Sequence, residues 1–424
     1  MGRASGAAEL VCGCHRACPR ASHGGVQMYA RDLVFFSVFA VFCGIGSALI
    51  AYVIGYAAAV AGSAAFLLAL IYAVRAVLVL RASDPAHASP LPPSLDANSV
   101  EEFLRERDNL DAPLQPESAS CIHWVGKRGV RTELVVLFLH GFSASPPEIS
   151  PVDDQIANAL GANLLRFRFA GHGMKPVERG GQALLHRATP TNLLKDAAVA
   201  FACARMIGKR VIILGSSTGG TLATWLACHP GFAPHHDVAA LILFSPAYGL
   251  CKPSANIYAV FKWLMVLLPH SVASEIVAAL VGRHRQLPLV SERQACAWTH
   301  SYPSAATLSP IQLYVRMDVS VRMRNLIPPV LVFANPRDPV ADFNVTCQRI
   351  AEARDAQLER VTSSENAHVI TGDILSPSTV GATVTRALLF LREKLGSDAV
   401  VTPLRHTRRT SPARSPGLTA AWPR

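Results

Sequence analysis

Charge is absent from one long stretch of this 424-residue chain: no Asp, Glu, Lys or Arg lies between Asp32 and Arg75. At about 1.5 Å per helical residue, such a run is more than twice the roughly 30 Å of a bilayer's hydrocarbon core. It is far too long for a cleaved signal peptide and too long for one span. The expectation is therefore a hairpin of two transmembrane helices, 33–54 and 58–80, turning near Gly55, with a single span followed by a buried soluble helix as the alternative. Small residues recur at every fourth position, at Ala40, Gly44 and Ala48 and again at Ala57, Ala61, Ala65, Ala69 and Ala73. Rows of that kind let two membrane helices approach closely. Arg16, Arg20 and Arg31 precede the hairpin, and Arg75 and Arg81 stand near its end. The positive-inside rule then puts both ends, and the domain that follows, on the cytoplasmic side of a membrane.

Acidic residues are also scarce, 29 against 40 basic ones, for a net charge of +11. Part of the excess sits in the tail, where Arg405, Arg408, Arg409, Arg414 and Arg424 face a lone Asp398. A basic excess can signal nucleic acid, but no zinc motif, aromatic–basic interleaving or recognition helix accompanies it, so no nucleic-acid partner is expected. Residues 397–424 read as a disordered basic tail. A paired cysteine framework is missing too: ten cysteines are scattered through the chain, which fits a reducing compartment. Cys12-Gly13-Cys14-His15 with Cys18 has no second ligand cluster to complete a tetrahedral site, so no metal is expected, and no cofactor either. Residues 1–27 read as an extension ahead of Met28, and there is no internal repeat.

What is present begins after residue 82. Residues 83–98 form a Pro-rich spacer, and Ser99 with Glu102 has the spacing of a capping box opening a short helix. Strand patterns follow at 121–125, 133–140 and 163–169, then at 211–214, 239–247, 328–334 and 356–362, with helical segments between them. This alternation predicts an α/β domain over 99–396, with a mostly parallel sheet covered by helices on both faces. Residues 250–327 interrupt the alternation with helical pieces and no convincing core strand, and read as an insertion.

The stretch VIILGSSTGGT at 211–221 is the strongest local signal. A β-branched strand meets a helix through Gly215-Ser216-Ser217-Thr218-Gly219, the G-x-S-x-G elbow in its proper strand–turn–helix setting. Only Ser217 has glycines on both sides at the required spacing. A serine is a weak nucleophile and needs a base, which in turn needs an orienting carboxylate. After such an elbow the acid and then the histidine follow, each behind a later strand. Asp338 stands behind VLVFA, with Asp342 further along the same loop as the alternative, and His368 stands behind the last strand. An oxyanion hole requires two backbone donors. Thr218 supplies one, and the loop after LFLHGF supplies the other, at Phe142. His140 and His172 read as structural turn residues.

Together these residues resemble the carboxylesterase and monoacylglycerol-lipase branch of the α/β-hydrolase superfamily. The likeness runs through HGFSASPPE, the GHG turn, LGSSTGGTLATWLA, YPSAATLSPIQL, PRDPVAD and NAHVITGD, covering roughly 100–396. It implies an α/β-hydrolase fold with 250–327 as a helical lid. It also implies Ser217 as nucleophile, Asp338 as acid, His368 as base, and Phe142 and Thr218 as oxyanion donors. Thr218 stands where the family usually has methionine, which spares the backbone donor and alters the pocket floor. The hairpin lies outside the common family pattern. The expected protein is a membrane-anchored serine hydrolase of lipid-like or monoacyl carboxylic esters. A thioesterase, an acyltransferase or a non-catalytic scaffold of the same fold are the alternatives, since fold does not fix substrate.

Overall fold

The structure is a computed structural model. It describes residues 37, 41–48, 62–63, 65–71, 73–74, 91 and 94–396, apart from 230–236, 251–254, 322 and 363–364. The Cys12–Cys18 cluster, the extension 1–27, most of the hairpin, most of the spacer and the tail 397–424 lie outside the described residues. The chain divides into two compact units, 1–66 and 67–424. In the first, residues 41–48 are helical, and the Ser47 hydroxyl donates to the Cys43 carbonyl at 2.7 Å and to the Gly62 carbonyl at 3.1 Å. Among the described residues no helix is long and apolar enough to cross a membrane.

The second unit is built on a seven-stranded sheet. Its strands are β1 (Cys121–His123), β2 (Thr132–Leu139), β3 (Asn163–Phe167), β4 (Gly208–Ser216), β5 (Val238–Phe244), β8 (Val330–Ala334) and β9 (Ala356–Arg360). The order is β1-β3-β2-β4-β5-β8-β9, parallel throughout except for β1, which pairs antiparallel with β3. The helices are α1 (Val100–Asn109), α2 (Val152–Ala159), α3 (Val177–His186), α4 (Pro190–Ile207), α5 (Thr218–Cys228), α6 (Ala255–Leu267), α7 (His270–Val281), α8 (Glu292–Ala297), α9 (Leu308–Ser320), α10 (Phe343–Ala351) and α11 (Val380–Leu395). A separate two-stranded ribbon pairs β6 (His284–Gln286) with β7 (Ser301–Pro303).

The core follows from the strands' period of two. Val135, Leu137 and Leu139 of β2 join Val211 and Ile213 of β4 on one face, against Leu193, Ala197 and Phe201 of α4 and Leu222 and Leu226 of α5. Val136 and Phe138 of β2 join Ile212 and Leu214 of β4 on the other, against Val152 and Ile156 of α2 and Leu388 and Leu391 of α11. Each fully buried Val, Leu, Ile or Phe side chain among them contributes about 1.5–3 kcal/mol. With both faces covered, the chemistry is left to the loops at the carboxyl ends of the strands.

One detail, at Ser99, departs from the sequence reading. Within the spacer 83–98, Leu91, Leu95 and Ala97 pack against the core. Ser99 does not form a capping box: its hydroxyl donates to Asp96 Oδ1 at 2.8 Å, and that same oxygen accepts the Asn98 and Ser99 N–H groups at 3.0 Å. An aspartate three residues upstream has out-competed the helix for the serine. Within the insertion, Met265 of α6 is buried with Ala273 and Val277 of α7 and Leu308 and Ile311 of α9.

A buried ion network, unread in the sequence, fixes α1 and the GHG turn. Arg168, fully buried, reaches Asp108 at 3.0 Å and Asp111 at 2.8 Å and donates to the His172 carbonyl at 2.9 Å. Asp111 also accepts the Gly171 N–H at 3.0 Å. Removing one partner from such a cluster strands the others and costs about 3–5 kcal/mol.

Candidate active site

Ser217 follows β4 and stands at φ 49°, ψ −115°, a conformation costly for a residue with a side chain. Its neighbours explain how that turn is held. A Cβ at Gly215 would lie 2.7 Å from the Gly220 Cα, and one at Gly219 would lie 2.0 Å from the Leu139 carbonyl oxygen. Strand and helix therefore touch where the glycines stand. The Ser217 N–H donates to the Phe244 carbonyl at 2.9 Å, and its own carbonyl accepts the Ala247 N–H at 3.1 Å. These bonds to the neighbouring strand and its loop keep the backbone in place.

The three triad candidates, 151 and 30 residues apart in the chain, come together. Ser217 Oγ lies 2.9 Å from His368 Nε2, and His368 Nδ1 lies 2.8 Å from Asp338 Oδ2. Asp338 is buried, and its other oxygen accepts the Val340 and Ala341 N–H groups at 2.7 and 3.0 Å. Asn366 Oδ1 takes the N–H groups of His368 and Val369 at 2.9 and 2.8 Å, and Ser376 donates to the Val369 carbonyl at 2.6 Å, which together fix the histidine loop. Asp342, the alternative acid, is the N-cap of α10, accepting the Asn344 and Val345 N–H groups at 2.9 and 3.2 Å.

The first oxyanion candidate follows from the peptide plane. The Gly141 carbonyl accepts His140 Nδ1–H at 2.9 Å and the Ala144 N–H at 3.3 Å. In a trans peptide the N–H of the next residue points the opposite way, so the Phe142 N–H is turned away from those bonds. The Thr218 N–H opens α5, where helix geometry leaves the first donors free. Thr218's side chain is buried, with the Tyr314 hydroxyl of α9 beside it but out of hydrogen-bond geometry.

His140 and His172 hold the frame and are out of the triad. His140 Nε2 accepts the Phe169 N–H at 3.1 Å, so the proton sits on Nδ1. Burial, then the neighbouring His172, keep its pKa well below the usual value, and burial lowers that of His172 to about 4.

Glu148, in the HGFSASPPE loop, was not singled out in the sequence. It is buried, and it accepts the Gly141 N–H at 2.7 Å and the Ser216 hydroxyl at 3.0 Å. The available signal was a charged residue within an otherwise apolar run, Pro146-Pro147-Glu148-Ile149. Among the described residues no group of three or more His, Cys, Asp or Glu is placed to hold a metal ion.

A serine, a histidine and an aspartate joined in line at the carboxyl edge of a mostly parallel sheet define the site of an α/β-type hydrolase. Residues 136–373, more than half of the chain, match the model of the alpha/beta hydrolase family, and the chain belongs to that family. Similar solved structures include one from work on LipS and LipT, two metagenome-derived lipolytic enzymes. It has 18% identity and a TM-score of 0.50, covering 66% of this chain and 99% of that one. A monoacylglycerol lipase of Paleococcus ferrophilus has 13% identity and a TM-score of 0.45, over 65% and 98% of the two chains. A soluble variant of monoglyceride lipase from Saccharomyces cerevisiae has 13% identity and a TM-score of 0.42, over 67% and 97%. No curated protein matches the sequence.

Proposed function

We propose that this protein is a serine hydrolase of carboxylic esters, with Ser217 as nucleophile, His368 as base and Asp338 as the acid that orients it. The observation that carries this is the unbroken line of hydrogen bonds, 2.9 and 2.8 Å, from a strained elbow serine to a buried aspartate. Ser217 Oγ attacks the ester carbonyl while His368 Nε2 takes its proton. Phe142 and Thr218 N–H groups receive the oxyanion, and His368 returns the proton to the departing alkoxide. Water, deprotonated by the same imidazole, then releases the acid from the acyl-enzyme.

Lipid-like or monoacyl esters are the favoured class, with 250–327 as the lid. Support comes from the insertion's exposed apolar side chains, Leu264, Val272, Leu280 and Val281, which suit an apolar surface. Purified full-length protein should hydrolyse p-nitrophenyl esters across an acyl-chain series, with a fluorophosphonate abolishing the activity. A rate optimum at acetyl would remove the lipid reading. Faster turnover of thioesters, or transfer to added alcohols in preference to water, would give the thioesterase or acyltransferase alternatives instead. A protein that neither turns over nor labels would be a scaffold.

The membrane hairpin, with its two spans and cytoplasmic catalytic domain, remains part of the proposal. Support comes from the charge-free run and from the exposure of Val41, Phe42, Ile45, Leu67, Leu68, Ile71 and Val74. The Ser47–Gly62 contact, where a Cβ on the glycine would meet Ser47 Cβ at 3.2 Å, supports close approach of the two arms. Cysteine-accessibility reporters near residues 20 and 90 should report the same, cytoplasmic side. Reporters on opposite sides would mean a single span.

A further inference from the structure

Glu148 is a carboxylic acid behind the active site that no step of the reaction uses. It is 2% exposed, and among its surroundings the ionisable group whose charge acts on it is His368. Burial pushes its pKa up to about 7, against the opposing pull of its bonds to Gly141 and Ser216. An acid buried with no cation in contact is expensive, and an apolar side chain of similar size would fill the space without that cost. Its two bonds give it a purpose that packing alone would not. Gly141 immediately precedes the Phe142 donor, and Ser216 immediately precedes the nucleophile. The carboxyl group bridges them, with Oε2 on the Gly141 N–H and Oε1 on the Ser216 hydroxyl. The space is tight: a Cβ on Gly141 would lie 2.9 Å from Glu148 Oε1 and 3.3 Å from Ser217 Cβ.

We propose that Glu148 is a positioning residue that clamps the oxyanion loop to the nucleophile elbow, fixing the Phe142 N–H relative to Ser217. The proposal rests on the reading of Ser217 as nucleophile and Phe142 as oxyanion donor. Both protonation states can hold the clamp. The carboxylate accepts both bonds. The neutral acid accepts from Gly141 through one oxygen and donates through the other to Ser216 Oγ. Glutamine reproduces this second arrangement, with its carbonyl on Gly141 and its amide on Ser216. Alanine abolishes both bonds and leaves the buried Gly141 N–H without an acceptor.

The test uses the full chain with a p-nitrophenyl ester, in Glu148→Gln, Glu148→Ala, Ser216→Ala and the Ser216→Ala/Glu148→Ala double variant. Thermal midpoints are measured in parallel. Glu148→Ala should lower kcat by roughly 10²–10³, the scale of a lost oxyanion donor, with KM changed less than about threefold. Glu148→Gln should stay within about tenfold of wild type. Ser216→Ala should cost roughly three- to tenfold in kcat and add almost nothing to Glu148→Ala. A folded Glu148→Ala with near wild-type kcat overturns the clamp, as does a Glu148→Gln as slow as the alanine variant. If Glu148→Ala fails to fold, Ser216→Ala decides: a wild-type kcat overturns the clamp, and a lower kcat at unchanged KM upholds it. A wild-type protein that does not react with fluorophosphonate instead overturns the nucleophile reading itself, before any variant is made.

Discussion

Ser217→Ala should lower kcat by roughly 10⁶ and abolish fluorophosphonate labelling, while the thermal midpoint stays close to wild type. The magnitude is that of removing the nucleophile from a triad whose members act as a unit. The fold should tolerate the change because alanine keeps the Cβ that serine already carries at φ 49°. The backbone bonds to Phe244 and Ala247 do not involve the hydroxyl. The neighbouring Ser216 cannot take over: it is buried, and its hydroxyl is committed to Glu148 at 3.0 Å. Mass spectrometry of the labelled peptide checks this. A phosphonate adduct on Ser216, or label persisting in Ser217→Ala, would move the nucleophile elsewhere. Residual turnover above the uncatalysed rate is expected from the oxyanion donors alone.

The elbow was legible in the sequence because its geometry is local. Gly215 is required by a contact within the same strand–turn–helix segment, where a Cβ would strike the Gly220 backbone, and Gly219 by the close approach of Leu139 at the end of β2. Asp338 and His368 were legible through chain order, since each stands behind a strand whose pattern is readable by itself. Asp338 was preferred to Asp342 because it stands nearer the end of its strand, and in the structure Asp338 meets His368 while Asp342 caps α10. What stayed hidden depends on distant partners. Glu148 meets Ser216 across 68 residues, and Arg168 meets Asp108 across 60. No periodicity or spacing encodes such pairs. The capping box failed for the opposite reason: a second local partner, Asp96, offered Ser99 a better bond than the helix did.

Asp338→Asn should reduce kcat by roughly 10⁴ with the fold intact, and the hydrogen bonds around Asp338 say why. Its Oδ1 accepts two backbone N–H groups, from Val340 and Ala341. An asparagine must keep its carbonyl oxygen there, since an amide NH₂ would face two donors. Its NH₂ group then occupies the place of Oδ2, 2.8 Å from His368 Nδ1. A donor at that point forces Nδ1 to be the acceptor and moves the imidazole proton to Nε2, which faces Ser217 Oγ at 2.9 Å. A protonated Nε2 cannot take the serine proton, so the base is lost although every side chain remains in place. Asp342→Asn is the control. Asp342 acts as an N-cap, and asparagine caps helices as well as aspartate does. That variant should therefore keep kcat near wild type, and Asp342→Ala should cost only stability, about 1 kcal/mol. Steady-state kinetics with thermal melts on the three variants separates the two carboxylates. A crippled Asp342→Asn beside a nearly silent Asp338→Asn would transfer the acid's role to position 342.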